Sequence, residues 1–255
     1  CLFPDLDVHL ISTTDQWAQF AIAGPNSRAV LSKIIDKVDM SNDGFPFMAC
    51  SDVTVCGGTP GRLFRISFSG ELAYEVAVPA RYGDALIREI MAAGEEFDIT
   101  PYGTEALGVM RIEKGHVTGA ELNGQMTAFN VNMNNMVSVK KDSIGSVLSR
   151  REVMVADNQV RLVGVKTVEK SDGLSSGARF LAKNDKPTTK NDQGWITSVC
   201  YSPHFEQHIG LGFLERGHER HGEIIRAWDG VRGTDVLVEI VSSHMYDPEG
   251  GLQRG

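Results

Sequence analysis

The sequence predicts an α+β fold, antiparallel strands with helices packed on them, followed by a small all-β unit. Three observations carry that expectation. Through the first half of the chain, short strand-like runs alternate with apolar residues at helical spacing. Around Asn158 the helical spacing gives way to short β-rich runs: Arg161 to Val168, Gly194 to Val199, Ile209 to Phe213, Ile224 to Ala227 and Val236 to Val241. Turn formers such as Ser171-Asp172-Gly173 and Asp229-Gly230 separate these runs, which is the pattern of a small sandwich or barrel. The expected boundary lies near residue 155, giving domains 1–155 and 156–255.

In chain order, Val8 to Ile11 and Ala18 to Ala23 read as strands, and Gly24-Pro25 breaks the second. Pro25 suits the first turn of a helix, where its missing N–H costs nothing, and Ala29, Val30, Leu31, Ile34, Ile35 and Val38 follow at helical spacing. Gly57-Gly58-Thr59-Pro60-Gly61 lacks the lysine and following helix of a phosphate cradle and reads as a turn between strands. Leu63 to Phe68 and Tyr74 to Val78 form a strand–turn–strand unit around Ser69-Gly70-Glu71. Ala85, Leu86, Ile87, Ile90 and Met91 make an amphipathic helix closed by Gly94. Another helix starts at Thr100-Pro101, carries Ala106, Leu107, Val109, Met110 and Ile112 inward, and ends near Gly115. After an Asn-rich stretch, Lys140-Lys141-Asp142 introduces a short helix with Ile144, Val147 and Leu148 as its apolar residues.

Composition removes several function classes. The chain has 25 basic against 33 acidic residues in 255, a net charge of −8, and no Lys/Arg-rich run, which disfavours a nucleic-acid binder. No stretch approaches the ~20 apolar residues of a membrane span, and no signal peptide opens the chain. The cysteines at positions 1, 50, 56 and 200 form no CxxC pair and no dense disulfide pattern, so a reducing cytoplasm is the expected location. Cys50 and Cys56 are expected as buried small apolar residues. The opening Cys1-Leu2-Phe3-Pro4 lacks Met and reads as the start of a fragment.

Among motifs, the histidines at 204, 208, 218 and 221 lie among Pro and Gly and lack a convincing third ligand, so solvated loop positions are expected and no metal site. No GxSxG elbow supports serine-hydrolase chemistry. Two clusters remain. In Ser67 to Glu75, Tyr74 either covers the core beneath a hairpin or lines a pocket. In Met110-Arg111-Ile112-Glu113-Lys114-Gly115, Glu113 sits where a helix macrodipole disfavours a carboxylate. It therefore wants a partner, either an internal Arg or Lys or a ligand offering adjacent N–H donors.

These clusters carry a resemblance. Phe20-Ala21-Ile22-Ala23-Gly24-Pro25-Asn26-Ser27-Arg28, Ser69-Gly70-Glu71 with Tyr74-Glu75, Met110 to Gly115, Lys140 to Gly145, and Gly194 to Ser198 with Ser202-Pro203 occur in the order found in the aminomethyltransferase (glycine cleavage T-protein) family. With Pro101 to Leu107 and the ending Tyr246-Asp247-Pro248-Glu249-Gly250, the chain most resembles the family branch formed by the C-terminal half of sarcosine oxidase alpha subunits. The resemblance implies an aminomethyltransferase-like folate-binding domain followed by a small C-terminal β-barrel. It also implies binding of tetrahydrofolate, which captures the one-carbon unit of oxidised sarcosine as 5,10-methylenetetrahydrofolate. Partners implied are the other sarcosine oxidase subunits, including a flavin-bearing beta subunit, with FAD, FMN and NAD expected only in the parent complex.

Carried onto this chain, Glu113 would hold the pterin edge, Tyr74 would line the pocket, Lys140 and Lys141 would meet the glutamate tail, and Tyr201 would close the pocket from the second domain. The family's acidic residue associated with one-carbon transfer belongs to an Asp-Asp segment that no position here matches, so no catalytic residue is assigned. The resemblance leaves a dimethylglycine dehydrogenase-like protein, a glycine cleavage aminomethyltransferase and a non-catalytic folate-binding scaffold as alternatives. His116 stands where the family's iron–sulfur assembly branch carries Cys, which disfavours the scaffold.

Overall fold

The computed structural model describes residues 4–138, 140–141 and 143–255; Cys1, at which the chain's opening was read, and Asp142, which was to introduce a short helix, lie outside them. The chain divides into two compact units, Cys1–Pro101 with Gly250–Gly255, and Tyr102–Glu249. Within the second unit, the helix after Pro101 packs on barrel strands.

The first unit contains β1 (Trp17–Ala23), α1 (Ser27–Leu31), β2 (Ile35–Asp36), β3 (Cys50–Val55), β4 (Thr59–Phe64), β5 (Ala73–Pro79) and α2 (Gly83–Gly94). The strands form an antiparallel sheet in the order β1-β5-β4-β3-β2. Leu63, Val76, Val78, Leu31, Leu86 and Ile90 are buried together, so the sheet and both helices share one apolar core. The alternation at Val8 to Ile11 forms no strand; Val8, Leu10 and Ile11 are exposed, and among the described residues no strand pairs with them to complete a ladder. Cys50 and Cys56 are free thiols and exposed, contrary to the buried positions expected of them. Cys56 occupies a turn with positive φ just beyond β3, where the backbone rather than apolar burial sets its place.

The second unit begins with α3 (Thr104–Lys114) and continues through β6 (Val160–Thr167), β7 (Arg179–Leu181), β8 (Gly194–Ser202), β9 (Gln207–Glu215), β10 (Ile224–Asp229) and β11 (Thr234–Val241). These six strands close into an antiparallel barrel in the order β10-β11-β6-β9-β8-β7. Inward residues such as Val163, Val165, Phe180, Ile196, Ile225 and Val238 fill it. A second cluster joins Ile112 of α3 to Leu162, Ile209, Leu211 and Phe213 of β6 and β9, which seats the helix on the barrel. The short helix expected after residue 142 is replaced by turns and a 3-10 turn at Leu148–Arg150. Gly145 adopts φ +85, which no helix interior accommodates, and Ile144, Val147 and Leu148 remain exposed. Among the described residues, no helix is long and apolar enough to cross a membrane.

Candidate functional site: two buried carboxylates at the end of α3

Arg111, Ile112, Glu113 and Lys114, the last turn of α3, are all buried. Amphipathic spacing explains only Ile112; the three polar residues of this buried turn each require a partner. The helix ends at Gly115, whose φ of +82 is the left-handed conformation of a helix terminus. A Cβ at that position would collide with the Ser243 carbonyl oxygen, so close backbone approach also requires glycine there.

Arg111 turns to Glu121, not to its near neighbour Glu113. Its Nη1 donates to Glu121 Oε2 at 3.2 Å and its Nη2 to Ser198 Oγ at 2.7 Å. Glu121 is fully buried and takes further bonds from the Thr118 amide at 2.8 Å, Thr197 Oγ1 at 2.5 Å and Ser198 Oγ at 2.6 Å. Burial alone would push this carboxyl upward. The Ser198 and Thr197 hydroxyls, the Thr118 amide and the Arg111 charge together outweigh it and hold Glu121 below the usual glutamate value. Lys114, equally buried, donates to Asp247 Oδ2 at 2.9 Å and to the Asp247 carbonyl at 2.6 Å.

Glu113 is treated differently. Its main-chain carbonyl accepts the Tyr246 amide at 2.9 Å. The residue is 8% exposed, and its carboxylate accepts the Ser202 hydroxyl at 2.5 Å, through Oε1. Among the described residues it enters no ion pair, so the internal Arg or Lys partner considered for it is absent there. Nearby Cys200 carries a thiol pushed up to about 12, by burial first and by the Glu113 charge second, with Arg111 opposing. That thiol is therefore neutral and offers Glu113 no charge. Among the described residues, the arrangement leaves a buried carboxylate oriented by one neutral donor, the Ser202 hydroxyl, and paired with no cation.

The other expected site residues fall as follows. Tyr74 is fully buried in the core of the first unit, and its hydroxyl accepts Arg28 Nε at 3.1 Å, so the ring covers the core beneath its hairpin. Tyr201 is half-exposed on β8, with its ring edge-on to His208 at 5.5 Å. Neighbouring residues on a strand face opposite ways, and it is Ser202, not Tyr201, that points to Glu113. Lys140 and Lys141 are exposed. His204 is exposed in a turn with its ring against Phe205 and Tyr246, His218 and His221 are exposed, and His208 alone of these four lies half-buried within a strand, β9, rather than in a solvated loop. Among the described residues, no three His, Cys, Asp or Glu side chains are placed to hold a metal ion. Ser202, Glu121, Ser198 and Thr197 were not singled out as site residues from the sequence; the signal for Thr197, Ser198 and Ser202 lay in the Gly194–Ser198 and Ser202-Pro203 segments, read only as motif matches.

Comparison with known proteins places this architecture. Residues 2–141 match the GCVT N-terminal domain and residues 161–247 the glycine cleavage T-protein C-terminal barrel domain. The alpha subunit of sarcosine oxidase from Rhizobium meliloti (strain 1021) is 45% identical over 97% of this chain, which spans 25% of that protein. An aminomethyltransferase from Listeria monocytogenes serotype 4b is 27% identical over 94% of this chain and 62% of its own length. The crystal structure of glycine cleavage system aminomethyltransferase T from Bartonella henselae superposes with a TM-score of 0.73 at 18% identity, covering 91% of this chain and 60% of that one, a likeness of fold. The chain thus spans about a quarter of the sarcosine oxidase subunit it matches. The antiparallel sheet falls within the first matched range and the closed barrel within the second, and the chain belongs to the glycine cleavage T-protein family.

Proposed function

We propose that this chain is the tetrahydrofolate-binding portion of a sarcosine oxidase alpha subunit. In that role it captures the one-carbon unit of oxidised sarcosine as 5,10-methylenetetrahydrofolate. The observation that carries the reading is the Glu113 carboxylate, buried, fixed by the Ser202 hydroxyl and given no cation among the described residues. A carboxylate in that state accepts two parallel N–H bonds, and the amino-imino edge of a pterin offers two at matching spacing. Its neighbours do not compete, since Arg111 and Lys114 are committed to Glu121 and Asp247. The donor set thus fits the pterin. Tetrahydrofolate supplies a nucleophilic N5, so the protein's task is chiefly to hold and orient it.

In the same reading the exposed Lys140 and Lys141 meet the anionic glutamate tail. The partners are the remaining subunits of a sarcosine oxidase, with FAD, FMN and NAD bound elsewhere in that assembly, and the setting is cytoplasmic. The 45% identity to a sarcosine oxidase alpha subunit favours this over a free-standing aminomethyltransferase.

Anaerobic calorimetry of this chain with tetrahydrofolate tests the reading, with Glu113→Ala alongside. Saturable binding weakened on the order of a hundredfold by the substitution is expected, as for a buried charged hydrogen-bonding group removed from a binding site. Absence of binding, or equal affinity in the variant, would overturn it.

A further inference from the structure

Ser202 closes β8, fully buried, and its hydroxyl oxygen accepts the Phe205 amide at 3.1 Å. A serine hydroxyl has one proton and two lone pairs. With the Phe205 N–H bound to the oxygen, the proton is directed along the 2.5 Å contact to Glu113 Oε1. The Glu113 main chain is fixed independently, by the Tyr246 amide on its carbonyl and by the tight approach at Gly115. The remaining freedom of Glu113 is rotation of its side chain, and that is what the Ser202 bond removes.

The chemistry of the donor matters. Lys or Arg at this position would fix the carboxylate equally well but would neutralise it and consume the acceptor capacity a ligand needs. A hydroxyl anchors one oxygen and leaves the negative charge in place. The contrast is with Glu121 in the turn beyond the helix: there three hydroxyls, an amide and a guanidinium saturate the group.

From this we infer that Ser202 is a positioning residue for folate recognition, setting the orientation in which Glu113 meets the paired N–H donors of the pterin. The inference rests on the folate-binding reading proposed above and assigns Ser202 no contact with the ligand. Acting through Glu113, it is coupled to it, and residues joined in one hydrogen-bonded unit give non-additive effects.

The test is a double-mutant cycle of tetrahydrofolate affinity, measured anaerobically by calorimetry on the wild type, Glu113→Ala, Ser202→Ala and the double variant. Loss of a bond to a charged group predicts that Ser202→Ala weakens binding on the order of tenfold. The double variant should bind no more weakly than Glu113→Ala alone. Ser202→Cys keeps the side-chain volume with a poor donor, and serves where an alanine cavity unfolds the chain; it should lose affinity as Ala does. Ser202→Thr keeps the hydroxyl and should restore affinity to within about threefold of the wild type, as a retained charge-assisted bond predicts.

If Glu113→Ala weakens binding while Ser202→Ala and Ser202→Cys leave it unchanged, the inference fails and the folate reading stands. Losses that add in the double variant, or a folded Ser202→Thr binding as weakly as Ser202→Cys, also overturn it. If the wild type does not bind, or Glu113→Ala binds equally well, the folate reading itself falls and takes this inference with it.

Discussion

Glu113 and Glu121 lie eight positions apart, on the last turn of α3 and in the turn beyond it, and both are buried. The fold treats them in opposite ways. Glu121 is saturated, with Arg111 for its charge and three hydroxyls and an amide for its lone pairs. Glu113 receives one hydroxyl and no cation among the described residues. A buried charge that is fully compensated is a structural element, since removing it strands its partners. One that is oriented but left charged is available to a ligand, and its burial is what would make such a bond strong.

The largest expected effect is on the structural side. Glu121→Ala leaves the Arg111 guanidinium buried without its acid and should lower unfolding free energy by about 3–5 kcal/mol, read from urea midpoints. A loss under about 1 kcal/mol would erase the distinction, because exposed pairs behave that way. The same group has an acid limb. The folded carboxyl of Glu121 lies below its ordinary 4.5, so its stabilisation is present above that pH and is lost as pH falls through the folded value. Glu121→Gln should accordingly flatten the acid side of the stability profile, and a profile identical in shape to the wild type would argue against the network.

Gly115→Ala comes next. A side chain at φ +82 that also meets the Ser243 carbonyl should cost more than about 1 kcal/mol, seen as a lower thermal midpoint. Glu113→Ala should by contrast change stability by less than about 1 kcal/mol, since only one hydroxyl bond is lost and an uncompensated charge is removed with it. A destabilisation as large as that of Glu121→Ala would recast Glu113 as structural. The smallest effect belongs to Lys140→Ala with Lys141→Ala. Being exposed, these charges should alter folate binding by about 1 kcal/mol or less, with the larger loss for a longer glutamate tail, checked by titrating mono- and polyglutamate forms side by side.

Much of the architecture was legible in the sequence. The run Ala85 to Met91 lies within α2, the helix closed by Gly115 is α3, and each of the five β-rich runs after Asn158 overlaps a barrel strand. Local patterns succeeded where a partner surface existed to use them. They misled at Val8 to Ile11 and at Ile144 to Leu148, where the spacing is right but the apolar side chains stay exposed. Arg179–Leu181 escaped because a strand of three residues has too little alternation to register.

The site was legible one residue at a time. Glu113 stood out because a carboxylate at a helix C-terminus is electrostatically misplaced. Its partner did not, because which face of β8 turns toward α3 is set by pairing register. Tyr201 and Ser202 are adjacent in sequence but on opposite faces, and a one-residue difference exchanges them. The Arg111–Glu121 pair was hidden for a related reason: Arg111 is nearer in sequence to Glu113, and only the tertiary fold shows which acid it reaches.

In the proposed reading, Glu113 meets paired N–H donors through a carboxylate oriented by Ser202 and given no cation among the described residues. The most direct test of that reading is the affinity of this chain for tetrahydrofolate against an analogue lacking the pterin 2-amino group, in the wild type and in Glu113→Ala. The expected result is a preference for tetrahydrofolate on the order of tenfold or more, the worth of one bond to a buried charge, which disappears in the variant. Equal affinity for both ligands in the wild type, or a preference that survives Glu113→Ala, would contradict it.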